Sequence, residues 1–209
     1  MNYLQPSEYE TYGLDATTGL AWVTAASAII DAHCRRVTLG INQYTERIRT
    51  DDGQRPVQLS YLPLNVLAPA TTPIVSARGR YGVPRRGEMD YEAELWDVAL
   101  AFGIPGTWVD LDVSILDAFA ETGEVTLPVN IMGWAFTEVE IVYTAGFDPF
   151  PDPVKIACAQ LVKNAQATPA LNVKKNVAPD GMQFWYFSDS LLDDLVRELL
   201  APYVAQKVG

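Results

Sequence analysis

The chain has 209 residues, with 15 Lys and Arg against 26 Asp and Glu and a formal net charge of −11 at pH 7. That length holds one domain with a proper core, or one domain carrying an elaborate insertion, and the order of elements favours the second. The charge argues against an ordinary nucleic-acid binder, whose affinity comes from neutralising phosphates with Lys and Arg; it suits solubility, self-repulsion and a surface that DNA passes without sticking.

No run reaches the roughly 18 to 20 apolar residues of a membrane span, and the opening MNYLQPSEYE lacks the basic-then-apolar order of a secretory signal. Cys34 and Cys158 each fall in an expected helix. They read as buried reduced thiols of a protein made in the cytoplasm, not as a disulfide framework.

Residues 7–12 predict a short helix stopped by Gly13. A long helix is expected from Thr17 or Thr18, either of which can cap, to about residue 36, with Leu20, Val23, Ser27, Ile30, Cys34 and Val37 at helical spacing. His33 and Cys34 are adjacent, but adjacent helical positions diverge and no second histidine completes a dyad or a zinc site, so they read as structural. Gln43–Thr50 and Val57–Leu62 then flank Asp51-Asp52-Gly53, which predicts a hairpin because Asp-Gly tolerates the positive φ of tight turns. A proline-marked loop leads to a strand at Ile74–Arg78.

Arg78, Arg80, Arg85 and Arg86 come next, followed at once by Glu88, Asp90, Glu92, Glu94 and Asp97. Three readings stand: a nucleic-acid loop, a charge-complementary contact in which the basic end of one subunit meets the acidic end of its neighbour, and a solvated loop. An apolar run from Leu95 to Phe102, a strand around Trp108–Asp112 and a helical turn near Ile115–Ala120 follow. Asp110 and Asp112 form a D-x-D with no third acid and no phosphate loop, a weak metal signal. Glu124–Leu127 predicts a strand.

The clearest elements adjoin. In Glu138–Tyr143, Val139, Ile141 and Tyr143 alternate with Glu138 and Glu140, the pattern of a half-buried strand. Asp152-Pro153 then opens a helix, the carboxylate as cap and proline at the first position. Val154, Ala157, Cys158, Leu161, Val162 and Ala165 form its apolar stripe, with Lys155, Gln160, Lys163 and Asn164 off it. After Thr168-Pro169 comes an aromatic cluster, Phe184 to Phe187, and a last helix from Ser188 or Ser190 until Pro202. Its apolar face (Leu191, Leu192, Leu195, Val196, Leu199, Leu200) must dock on its own core or on a partner's groove.

Catalytic signatures are missing. The single histidine has no nucleophile in a recognised setting, and there is no phosphate loop, dinucleotide fingerprint or Cys/His metal spacing. No enzyme, cofactor or metal is expected, although carboxylate-only enzymes carry no such motif.

The residues do resemble a family. An alanine-rich first helix ending in D-A-H-C-R-R (Asp31–Arg36), the strand N-Q-Y-T-E (Asn42–Glu46), a hairpin, then V-E-I-V-Y-T-A-G-F (Val139–Phe147) and P-D-P-V-K-I-A-C-A-Q-L-V-K-N (Pro151–Asn164) are similar to the head–tail connector, or adaptor, proteins of long-tailed bacteriophages. The resemblance covers about half the chain. It implies an α+β fold: a helical core (helices near 17–36, 152–167 and 189–200) with a β-rich insertion of hairpins between the first two long helices. In domain terms, residues 1–171 form the adaptor core with its insertion at about 41–144, and residues 172–209 form a C-terminal docking segment.

The resemblance further implies a twelve-fold ring in the virion neck, beneath the portal protein at the capsid vertex. The ring extends the DNA channel and offers a platform to the head-closure (stopper) or tail protein, and DNA passes through it without sequence-specific binding. Portal binding is expected at Phe184, Trp185, Leu191, Leu195, Leu199 and Tyr203. Subunit contacts are expected at Arg78, Arg80, Arg85, Arg86, Glu88, Asp90, Glu92 and Glu94. The alternatives are another neck component, a stopper or tail-completion protein, and a soluble α+β enzyme using acids such as Asp110 and Asp112.

Overall fold

A computed structural model describes residues 1–50, 56–67, 70–81, 106–129, 136–167 and 191–206, and the backbone alone of 175–177 and 183–185. It is an α+β protein, and the chain divides into two compact units: Met1–Gly40 with Phe147–Ala205, and Ile41–Gly146 with the residues from Gln206.

The first unit is helical. Helix α1 (Leu20–His33) and helix α3 (Asp194–Leu200) both pack on helix α2 (Asp152–Ala167). Of the stripe predicted for α2, Val154, Ala157, Cys158, Leu161 and Val162 are all at most 1% exposed, and Ala165 is half-buried. The expected cap is not made. The helix begins at Asp152 itself, with Val154 N–H donating to the Pro151 carbonyl at 3.1 Å. The Asp152 carboxylate instead accepts the Tyr12 hydroxyl at 2.8 Å.

Helix α1 is shorter than its periodicity predicts at both ends. Thr17 caps nothing, because its N–H and hydroxyl donate to Asp15 Oδ1 at 2.9 and 2.8 Å. Gly19 precedes the first turn instead. At the other end Arg35 takes φ 55°, the left-handed conformation that terminates a helix. Leu20 and Val37, expected on the buried stripe, are accordingly exposed.

The predicted helix over 189–200 also contracts. Asp193 is its cap, accepting from Val196 N–H at 2.8 Å, and Asn164 of α2 holds that carboxylate at 3.0 Å. Pro202 lies inside a closing 3-10 turn, Ala201–Tyr203. The amino-terminal segment, given only a short helix by its sequence, forms a 3-10 turn at Pro6–Glu8 and contributes Tyr3, Leu4, Tyr9 and Leu14 to the core.

The second unit is built of strands. A four-stranded antiparallel sheet runs β1 (Asn42–Arg49), β7 (Glu138–Ala145), β3 (Ile74–Arg80), β4 (Trp108–Leu111). A second sheet runs β2 (Pro56–Gln58), β6 (Glu124–Thr126), β5 (Asp117–Ala118). A further pair, β8 (Lys175–Val177) with β9 (Gln183–Trp185), belongs to the first unit by chain position.

The predicted hairpin between the first two strands does not form, although both strands exist. β1 pairs with β7 over eight positions, from Asn42↔Ala145 to Arg49↔Glu138, and β2 pairs with β6. The reason is complementarity. Over that register Ile48 meets Val139 and Arg47 meets Glu140, whereas β2 offers three residues and opens on a proline, which donates nothing to a ladder.

Beyond Leu59, whose N–H still donates to the Gly123 carbonyl at 3.0 Å, the expected strand leaves the ladder because side chains take its donors. Ser60 N–H donates to Glu46 Oε2 at 3.1 Å, and Tyr61 N–H to the Tyr143 hydroxyl at 3.2 Å. The helical turn expected near 115–120 is a 3-10 turn at Val113–Ile115 that runs into β5. The predicted turn residues Asp51–Gly53 and the apolar run Leu95–Phe102 lie outside the described residues.

On the inner face of the four-stranded sheet Val139, Ile141 and Tyr143 are fully buried. Gly79 of β3 belongs to the same face, and a Cβ there would come within 2.5 Å of the Phe136 ring. That ring stacks on Tyr81 at 4.7 Å between centroids. Gly79→Ala is therefore expected to lower unfolding free energy by about 1–3 kcal/mol, read from the midpoint of denaturant unfolding, and an unchanged midpoint rejects the packing described.

Candidate interaction surface

The outer face of the same sheet is charged. Because side chains alternate along each strand, the register brings Arg47 and Arg49 of β1, Glu138 and Glu140 of β7, Arg78 and Arg80 of β3, and Trp108 and Asp110 of β4 to that one face. Among the described residues four arginines there meet three carboxylates, a positive balance within a chain of net charge −11.

Glu138 is the centre of the array and is only 7% exposed. Its Oε1 accepts from Arg47 Nε, and its Oε2 from Arg80, whose Nε lies at 2.6 Å. Glu140 Oε1 accepts from Arg78 Nε and Nη2 at 2.9 and 2.8 Å. Trp108 lies among the guanidinium groups, its ring centroid 5.2, 5.0 and 5.1 Å from the Cζ atoms of Arg47, Arg78 and Arg80. The indole face attracts the cations.

The Arg47 hydrogen bond, with Arg80 adding to it, holds the Glu138 carboxyl below its ordinary range against the opposing effect of burial. Arg47 is correspondingly raised, chiefly by the same bond.

Of the residues expected to make subunit contacts, Arg78 and Arg80 thus have their charges answered inside the chain. Arg85, Arg86, Glu88, Asp90, Glu92 and Glu94 lie outside the described residues. Of the expected portal-binding residues, Phe184 and Trp185 fall on β9. Leu191, Leu199 and Tyr203 pack partly buried against the helical unit's own core, Tyr203 edge-on to Phe147 at 5.3 Å. Leu195 is 53% exposed. Val196 and Leu200 are fully buried, so the last helix docks on its own unit.

A second surface escaped the sequence reading. The outward positions of α1 (Leu20, Ala21, Trp22, Thr24, Ala25, Ala28 and Ala32) are exposed and carry no charge, with Leu20 at 53% and Trp22 at 45%. Periodicity could not separate this side from the buried one, because alanines and larger apolar residues occur on both.

Asp112 follows the end of β4 and accepts from Ser114 N–H at 2.9 Å and from its hydroxyl at 2.7 Å, while Asp110 faces Arg78 across the sheet. Of the D-x-D pair, Asp112 is thus bonded within its own turn, while Asp110 stands opposite Arg78 in the register. Burial raises the thiols of Cys34 and Cys158 to about 11, far from a reactive thiolate at neutral pH. Among the described residues no group of three His, Cys, Asp or Glu side chains could hold a metal ion, and no helix is long and apolar enough to cross a membrane.

No family model and no curated protein matches the chain. Among solved structures, a chain from the neck of a native GTA particle, computed with C12 symmetry, is similar at 15% identity, with a TM-score of 0.45 over 97% of this chain and 88% of that one. A likeness that distant carries no conclusion about function.

The ladder makes a pH-dependent contribution of defined sign. Because the Glu138 carboxyl is depressed in the folded state, its stabilisation is full above the ordinary carboxylate range and is lost as pH falls through the folded-state value. Glu138→Gln is expected to cost about 1–2 kcal/mol at pH 7, the range of a charged hydrogen bond discounted for the exposure of Arg47, and to flatten the acid side of the stability–pH curve. Urea unfolding between pH 3 and 7 reads both effects; an acid side of unchanged slope contradicts the assignment.

Proposed function

We propose that the chain is a structural head–tail connector (adaptor) of a long-tailed-phage type particle. In this reading a ring of copies, twelve in number, sits beneath the portal protein in the virion neck, extends the DNA channel, and offers a platform to the head-closure or tail protein.

The sequence resemblance supplies the class. The residues that carry it, Val139–Phe147 and Pro151–Asn164, form β7 and most of α2, the strand and the helix against which their neighbours pack. The observation that carries the assembly role is the outward side of α1. That side carries no charge and leaves Leu20 and Trp22 exposed, which suits a contact with a further body, and neighbouring copies in a ring supply that cover. The net charge of −11 suits a channel wall that DNA passes without sticking. The thiols held neutral and the Asp112 carboxylate bonded within its own turn fit a protein that performs no catalysis.

Portal docking is assigned to the carboxyl-terminal region. Removing the whole last helix cannot test this, because Val196 and Leu200 are core residues. A surface substitution can. Leu195 lies in the first turn of α3, where a carboxylate is tolerated by the helix dipole. Leu195→Asp is expected to weaken binding to the same phage's portal particles at least about tenfold, about 1.4 kcal/mol, with the melting temperature unchanged. Electron microscopy of the wild-type chain with portal particles is expected to show a ring stacked on the portal. Particles that stay bare overturn the connector reading, and unaltered binding of Leu195→Asp overturns the docking assignment.

A further inference from the structure

The two edges of the four-stranded sheet differ. β4 is four residues long, while β1 is eight and pairs with β7 without a register shift. Thr50 N–H donates to the Thr137 carbonyl at 3.0 Å. That bond fixes the phase of the ladder: Asn42, Tyr44, Glu46 and Ile48 bond to β7, while Gln43, Thr45, Arg47 and Arg49 direct their N–H and C=O groups away from it. Among the described residues none of those four N–H groups has a backbone partner, and all four residues are exposed. The edge carries neither a proline nor a bulge, two of the devices that keep an edge strand from pairing.

Charge says what would pair there. On the outer face the strands alternate in sign: arginines on β1, glutamates on β7, arginines on β3 and Asp110 on β4. A strand added beyond β1 continues the series if it carries acids at every second position, since opposite charges stabilise cross-strand neighbours. Arg49 has no ion pair among the described residues to compete for it. The sequence holds one stretch of this kind with four acids, Glu88, Asp90, Glu92 and Glu94, alternating with Met89, Tyr91 and Ala93.

We propose that the free edge of β1 accepts residues 88–94 of a second copy of this chain as a fifth strand, with its acids against Arg47 and Arg49. This rests on the ring reading and names its contact. An edge on one copy and a segment on the next form a head-to-tail interface, the kind that closes into a ring, and main-chain bonds supply the adhesion as in other strand additions.

Two variants test it. Thr45→Pro removes an N–H that points away from β7, leaving the ladder to β7 whole, and proline is tolerated on edge strands. The second variant replaces Glu88, Asp90, Glu92 and Glu94 with Lys. Sedimentation velocity is expected to show the wild type associating with rising concentration and each variant alone remaining monomeric. An equimolar mixture is expected to stop at a dimer, because it retains one intact edge and one intact segment. If association needs the template, the same samples are compared on portal particles, where neither variant closes a ring. Wild-type association by Thr45→Pro, or a mixture with no dimer and no arc of two copies, overturns this inference and leaves the connector reading standing. A wild type that forms no ring even on portal particles overturns the connector reading itself.

Discussion

The second unit depends on β7 carrying two incompatible faces. Val139, Ile141 and Tyr143 are fully buried on one side, and Glu138 and Glu140 are ion-paired on the other. A one-residue slip of register would send two glutamates into the core and three large apolar side chains out of it, so the charges act as much to fix register as to stabilise. Both neighbouring strands answer the same pattern, Arg47 from one side, Arg78 and Arg80 from the other. The Tyr143 hydroxyl reaches the backbone of Tyr61, and burial raises its pKa, so one strand orders the sheet and the chain packed beneath it.

The helical unit shows a different economy. Its middle helix buries one stripe, and the amino-terminal segment completes the core through aromatic side chains, of which Tyr3 and Tyr12 find partners for their hydroxyls while that of Tyr9 is buried without one. Tyr3 donates its hydroxyl to Asp31 and accepts the Leu39 N–H at 2.8 Å. Glu8 pairs with Lys155 at 2.5 Å, and Tyr12 with Asp152. These contacts tie a stretch with little regular structure to two helices far away in sequence.

What the sequence made legible was whatever is periodic. The stripe of α2 and the alternation of β7 are local patterns that burial obeys, and the α+β class follows from them. Pairing was not legible: Asp51-Asp52-Gly53 signals a hairpin, yet β1 finds a better partner ninety-odd residues on, at Glu138 to Ala145. Likewise Arg78 and Arg80 stand out by composition, while their partners Glu140 and Glu138, and Trp108 above them, are assembled only by the fold. Tyr3, Leu4 and Tyr9 were missed because their burial follows from tertiary contact and not from any repeat. Helix ends were set by single events, Arg35 turning left-handed and Asp193 capping, which periodicity does not encode.

If β7 fixes the sheet and leaves the far edge of β1 open, amide exchange along β1 in the free monomer must alternate. Single-residue hydrogen exchange is predicted to show slow amides at Tyr44, Glu46 and Ile48, which bond to β7, and fast amides at Gln43, Thr45, Arg47 and Arg49. Uniform protection along β1 in the monomer would mean that the chain covers its own edge, and uniformly fast exchange would mean that β7 does not hold it; either result contradicts the account.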